Sequence, residues 1–67
     1  MANQLNEELG NDLLQRITTP LNQRGISNPI IMNRLSEALP EKNRKEAAER
    51  FAALSEKYPD FIAKSIS

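Results

Sequence analysis

The 67-residue sequence predicts an all-α fold, a small three-helix bundle with a short fourth helix at its C-terminal end, and three observations carry that expectation. The β-branched residues are scattered, and no turn dipeptide joins two alternating runs as a hairpin would require. Apolar residues return at intervals of three and four, the spacing that lines one face of a helix, and charges return at the same intervals on other faces. Prolines 20, 29, 40 and 59 punctuate these segments.

The first helix is expected over 4–18, where Leu5, Leu9, Leu13, Leu14 and Ile17 share a face and Glu7, Glu8, Asp12 and Arg16 fall mostly outside it. Asn3 suits the N-cap, and the two glutamates complement the positive end of the helix dipole. Gly10 lies inside the segment at a cost of about 1 kcal/mol relative to alanine, either simply tolerated or letting another backbone come close. Pro20 disfavours helical geometry at Thr19, which predicts an end or a kink near Thr18. Leu21 to Arg24 form a further turn, closed by Gly25 in the left-handed conformation that ends helices.

Ser27 or Asn28 then caps a second helix over 29–39, with Pro29 pre-set for its first position. Ile30, Ile31, Leu35, Ala38 and Leu39 cover one broad face of it. Pro40 removes the amide hydrogen that would continue this helix and equally suits the first turn of the next. A third helix is expected over 41–57, with Ala47, Ala48, Phe51, Leu54 and Tyr58 as its buried stripe. Opposite charges stand four apart on its outer face (Glu41 with Lys45, Lys42 with Glu46, Lys45 with Glu49, Glu46 with Arg50), the pattern of a solvated surface. After Pro59-Asp60, Phe61, Ile62 and Ile66 form a last apolar cluster that suits a docked tail helix over 59–66. The whole chain reads as one domain, since so short a polypeptide builds only one core.

Composition excludes several function classes. The chain has neither cysteine nor histidine, which removes disulfides, thiolate chemistry, the usual zinc sites and imidazole acid/base catalysis. The serines have no histidine to activate them, Glu46 and Glu49 alternate with Lys45 and Arg50, and the two glycines stand too far apart for a phosphate loop. A protein without catalytic activity, cofactor or metal is expected. Nine basic and nine acidic residues balance to zero net charge, and neither half is strongly basic, which counts against nucleic acid as the main partner. No stretch approaches the roughly 20 apolar residues of a membrane span, and the first eight residues lack the basic-then-apolar order of an export signal. A cytoplasmic protein is the expectation.

Two motif-level readings remain. Arg24-Gly25-Ile26-Ser27, followed by Ile31 and Leu35, resembles the turn and first recognition-helix positions of bacterial helix-turn-helix repressors, and a small DNA-binding regulator is the alternative it supports. Against it, Pro20 leaves few residues for the helix before the turn, Leu21 stands where those proteins carry a small residue, and Arg34 is the one strong ligand for phosphate or guanine on the following helix.

Residues 28–51, NPIIMNRLSEALPEKNRKEAAERF, resemble instead the middle of the theta subunit family of bacterial DNA polymerase III. That family has a proline followed by two aliphatic residues, an intervening helix, and then Pro-Glu, Arg and Glu-Arg-apolar in the same spacing. Here these are Pro29-Ile30-Ile31, Pro40-Glu41, Arg44 and Glu49-Arg50-Phe51. Upstream, Leu21-Asn22-Gln23-Arg24 matches an aromatic-Lys-Glu-Arg segment if one residue is inserted in the loop. The likeness spans about a third of the chain. It departs at Ala47 and Ala48, where the family carries aromatic residues, and in a shorter, less basic tail. It implies a three-helix protein, inactive by itself, that binds and steadies the proofreading exonuclease subunit, epsilon, of a bacterial or phage replication system. A phage-type accessory or inhibitor that binds a different protein is the neighbouring reading.

The residues point to protein binding without any family. Successive helical residues are about 100° apart, so Ile30, Ile31 and Met32 cannot all face inward. With Leu21 and Ile26 in the preceding loop they are expected to form an exposed apolar patch, edged by Arg34, unless the tail from Phe61 to Ile66 covers it. The occupant of such a patch is another protein or a second copy of the chain.

Overall fold

A computed structural model describes residues 4–66 as four α-helices: α1 (Gln4–Asn22), α2 (Asn28–Ala38), α3 (Arg44–Lys57) and α4 (Pro59–Ile66). There is no strand among the described residues, and the fold is the expected all-α bundle with a short fourth helix. Asn3, the expected cap of the first helix, lies outside the described residues.

α1 departs from expectation at both of its special residues. Gly10 is not a tolerated helical glycine: its φ of 78° and ψ of 161° break α1 into segments 4–9 and 11–22, in a region of backbone space that essentially only glycine occupies. A Cβ there would meet nothing within 4 Å, so conformation, and not the close approach of another backbone, is what calls for glycine. Pro20 does not end the helix near Thr18; α1 runs on to Asn22. The ladder loses one hydrogen bond at the proline, and two features offset that loss.

Ile17 and Leu21, one turn apart, are completely buried, and burying an aliphatic side chain of this size contributes roughly 1.5–3 kcal/mol. The end of α1 is also closed by a full Schellman motif. Gly25, at φ 86°, donates its N–H to the Asn22 carbonyl (2.9 Å), and Ile26 donates to the Leu21 carbonyl (3.1 Å). Leu21 and Ile26 are the apolar pair that this motif brings together, and both are buried. The Asn22 amide then fastens the loop by donating to the Ile26 carbonyl (2.7 Å) and to Asn28 Oδ1 (2.9 Å).

The remaining prolines act at helix ends. Pro29 sits in the first turn of α2 behind an extended Ser27, where its missing N–H costs nothing. Leu39, which precedes Pro40, is extended at φ −92° and ψ 126°, so α2 stops at Ala38. Pro59 opens α4. α3 begins at Arg44 and not at Glu41, because residues 41–43 form a turn, and of the four charge pairs expected on its outer face Glu46–Arg50 closes, at 3.7 Å.

The inward stripe of α3 is Ala48, as expected, with Ala52 and Ser55, all fully buried; of the other expected members Ala47 and Phe51 are only partly buried against the core, and Leu54 and Tyr58 are exposed. α1 makes its most extensive contact with α3, and these small side chains lie on α3's buried face. Three ion pairs tie α1 and the loop after it to the second half of the chain: Glu8–Arg44 (2.9 Å), Arg16–Glu56 (2.8 Å) and Arg24–Asp60 (2.6 Å). Their order shows that α1 and α3 run in the same direction. α4 docks against α1, α2 and α3 through Ile62, Ala63 and Ile66.

Candidate partner-binding surface

The Ile30-Ile31-Met32 triplet divides as helical geometry requires. Ile30 is about half exposed, Ile31 is fully buried and Met32 lies partly buried at the edge of the core. The expected patch does not assemble around them, however. Leu21, Ile26 and Ile31 all belong to the core, because the Schellman turn folds Leu21 and Ile26 inward beneath the loop. Of the five apolar residues expected there, Ile30 alone is exposed, and single exposed hydrophobic side chains are common on protein surfaces. Arg34 is half exposed and stands 3.5 Å from Glu37, one turn along α2. With a single cation, α2 offers little to a phosphate backbone.

A different surface gathers the exposed apolar side chains. Among the described residues, the large hydrophobic side chains exposed to solvent besides Ile30 are Leu54 (45%), Tyr58 (50%) and Phe61 (70%). Phe51 and Ala47, partly buried against the core, precede them on α3. Residues 47, 51, 54 and 58 are spaced four, three and four apart, which keeps them on one stripe roughly a quarter turn from the buried Ala48-Ala52-Ser55 stripe. Phe61 follows at the start of α4, whose own inward face is Ile62, Ala63 and Ile66, so that its ring is turned outward. The Lys57 ammonium lies 5.4 Å from the centre of the Tyr58 ring, within the range of cation–π attraction.

The consequence for the core is unusual. All three aromatic residues of the chain, Phe51, Tyr58 and Phe61, lie outside the fully buried interior, which is filled by Leu, Ile and Ala. Aromatic side chains bury about 150–250 Å² each and normally contribute most to a small core. With the exposures above, Leu54, Tyr58 and Phe61 present on the order of 300 Å² to water, a size at which surface patches are commonly functional. Periodicity pointed to Leu54 and Tyr58, but as core; the signal for their exposure was the second stripe of small residues beside them.

Elsewhere, an open groove of about 480 Å³ runs between α1 and α3, lined by Asp12, Gln15, Arg16, Thr19 and Glu56 among others. Its principal interaction is the Arg16–Glu56 ion pair, made through both Nε (3.2 Å) and Nη2 (2.8 Å). Among the described residues no group of three or more acidic side chains could hold a metal ion, and no helix is long and apolar enough to cross a membrane. No protein-family model, curated protein or solved structure matches the chain.

Proposed function

We propose that this chain is a non-enzymatic accessory module that binds another protein through the apolar stripe of α3 and Phe61 of α4. The placement of all three aromatic side chains outside the core carries this reading. Aromatic residues are enriched among the few side chains that dominate binding at interfaces, and a domain this small gives up stability by leaving Tyr58 and Phe61 exposed and Phe51 only partly buried. The theta-like spacing of Pro29-Ile30-Ile31, Pro40-Glu41, Arg44 and Glu49-Arg50-Phe51 favours one specific form of the reading, a partner that steadies a polymerase's proofreading exonuclease subunit.

The test is capture of partners by the immobilised chain, beside Phe61→Glu and Leu54→Glu variants checked for folding by circular dichroism. A partner held by the unaltered chain is expected to bind at least about 10-fold more weakly to either variant, the loss typical of a central interface residue. Undiminished binding by both would remove this surface from consideration. A purified exonuclease subunit serves as a separate arm: its failure to bind would dispose of the theta-like form alone.

A further inference from the structure

We infer that the α3 stripe is built to pair with an acidic amphipathic helix, and that it disfavours pairing with a second copy of itself; this rests on the protein-binding reading above. The intervals of four, three and four between Ala47, Phe51, Leu54 and Tyr58 are those of the alternating a and d positions of a coiled-coil seam. Leu54 and Tyr58 are open to solvent, with Ala47 and Phe51 partly buried against the core, and a half-open seam of that spacing matches a helix, which returns its apolar side chains at the same 3.5-residue interval.

The flanks of the seam select the partner. With Phe51 and Tyr58 at a, and Ala47 and Leu54 at d, the g positions are Arg50 and Lys57, both cationic. The e positions, Ala48 and Ser55, are buried within the chain's own fold and are closed to an incoming helix. One flank alone is therefore open, and its heptad positions carry positive charge. Glu46 lies 3.7 Å from Arg50, but both side chains are largely exposed, and such a pair contributes little and exchanges readily. The nearby carboxylates Glu56 and Asp60 are also exposed, but they lie closer to other cations, at 2.8 Å from Arg16 and 2.6 Å from Arg24 against 3.7 Å for Glu46–Arg50.

A two-fold symmetric dimer through this seam would set the same patch against itself and place like charges along the shared flank. Glutamates or aspartates along one side of a partner helix would meet Arg50 and Lys57 and exclude wrong partners.

Two synthetic helices of about three heptads, each with leucine at a and d, provide the probes. One carries glutamate at every e and g position and the other lysine, so neither pairs with itself. In heteronuclear NMR titrations of the full chain, the glutamate probe is expected to bind at least about 10-fold more tightly than the lysine probe, with shifts concentrated from Phe51 to Phe61. Arg50→Gln with Lys57→Gln should abolish the preference, and Arg50→Glu with Lys57→Glu should reverse it, folding being verified by circular dichroism. Equal affinity for both probes, or no binding of either, would overturn the inference. So would self-association through the same residues in sedimentation velocity, or binding to phosphatidylglycerol vesicles without binding to the glutamate probe. Partner capture lost in Phe61→Glu without any charge preference would refute the acidic helix and leave the surface standing; capture surviving both Phe61→Glu and Leu54→Glu would refute the surface itself.

Discussion

Replacing Ser55 by alanine is expected to stabilise this protein. Ser55 is completely buried on the face of α3 that α1 covers, and its Oγ has no hydrogen-bond partner. A buried hydroxyl left unpaired costs about 1–3 kcal/mol. Alanine removes that cost and improves helix propensity by up to about 0.5 kcal/mol. Against this stands the void of one oxygen atom, a few tenths of a kcal/mol at roughly 24 cal/mol per Å³. The net gain is about 1–2 kcal/mol, and for a domain of this length each kcal/mol raises Tm by about 4–8 °C. Thermal unfolding followed at 222 nm, paired with urea titration, should therefore show Ser55→Ala melting some 5–15 °C above the parent. Ser55→Val is the matched control: it exchanges the hydroxyl for one methyl group and adds a second on a fully buried face, and such overpacking should cost about 1–3 kcal/mol. A lower Tm for Ser55→Ala would show that the hydroxyl is satisfied in solution, for instance by the Phe51 carbonyl one turn back. A harmless Ser55→Val would show that α1 and α3 are not close-packed here.

Three further outcomes test the fold. Gly10→Ala should destabilise by about 1–3 kcal/mol in urea titration, because φ 78° and ψ 161° suit glycine alone; a gain of about 1 kcal/mol, as at an ordinary helical glycine, would show that α1 is continuous. Leu21→Ala should cost about 2–5 kcal/mol while Ile30→Ala stays within about 0.5 kcal/mol, since the first is wholly buried and the second half exposed; equal effects would restore the patch that the sequence suggests around Leu21. Asn22→Ala gives up bonds to the Ile26 carbonyl and to Asn28 and should cost about 1–2 kcal/mol by chemical denaturation, with hydrogen exchange quickened in the 23–28 loop. Unchanged exchange in that loop would mean that the Schellman motif holds it without Asn22.

Much of this architecture is written in local chemistry. The prolines at 29, 40 and 59 mark helix ends because each acts on its own backbone or on the residue just before it, whatever the rest of the chain does. Gly25 is legible for the same reason, as is the division of Ile30, Ile31 and Met32 among different directions, which follows from helical geometry alone. α4 keeps its expected limits, 59–66.

Tertiary structure decided what local rules left balanced. Pro20 stays inside α1 because the burial of Ile17 and Leu21 and the closure at Gly25 together outweigh one missing hydrogen bond, and that comparison exists only once a core has formed. Gly10 breaks its helix although glycine is permitted in both conformations. The choice at α3 matters most for function. Periodicity groups Ala48 with Ala47, Phe51, Leu54 and Tyr58, whereas the structure buries it in the adjoining stripe with Ala52 and Ser55. α1 already contributes long side chains, Leu13, Leu14 and Ile17, to the core, and the facing helix fits closely only by presenting small ones. The sequence by itself determined that α3 is amphipathic; the volume already occupied by α1 determined that Leu54 and Tyr58 stay exposed, with Ala47 and Phe51 only partly buried beside them.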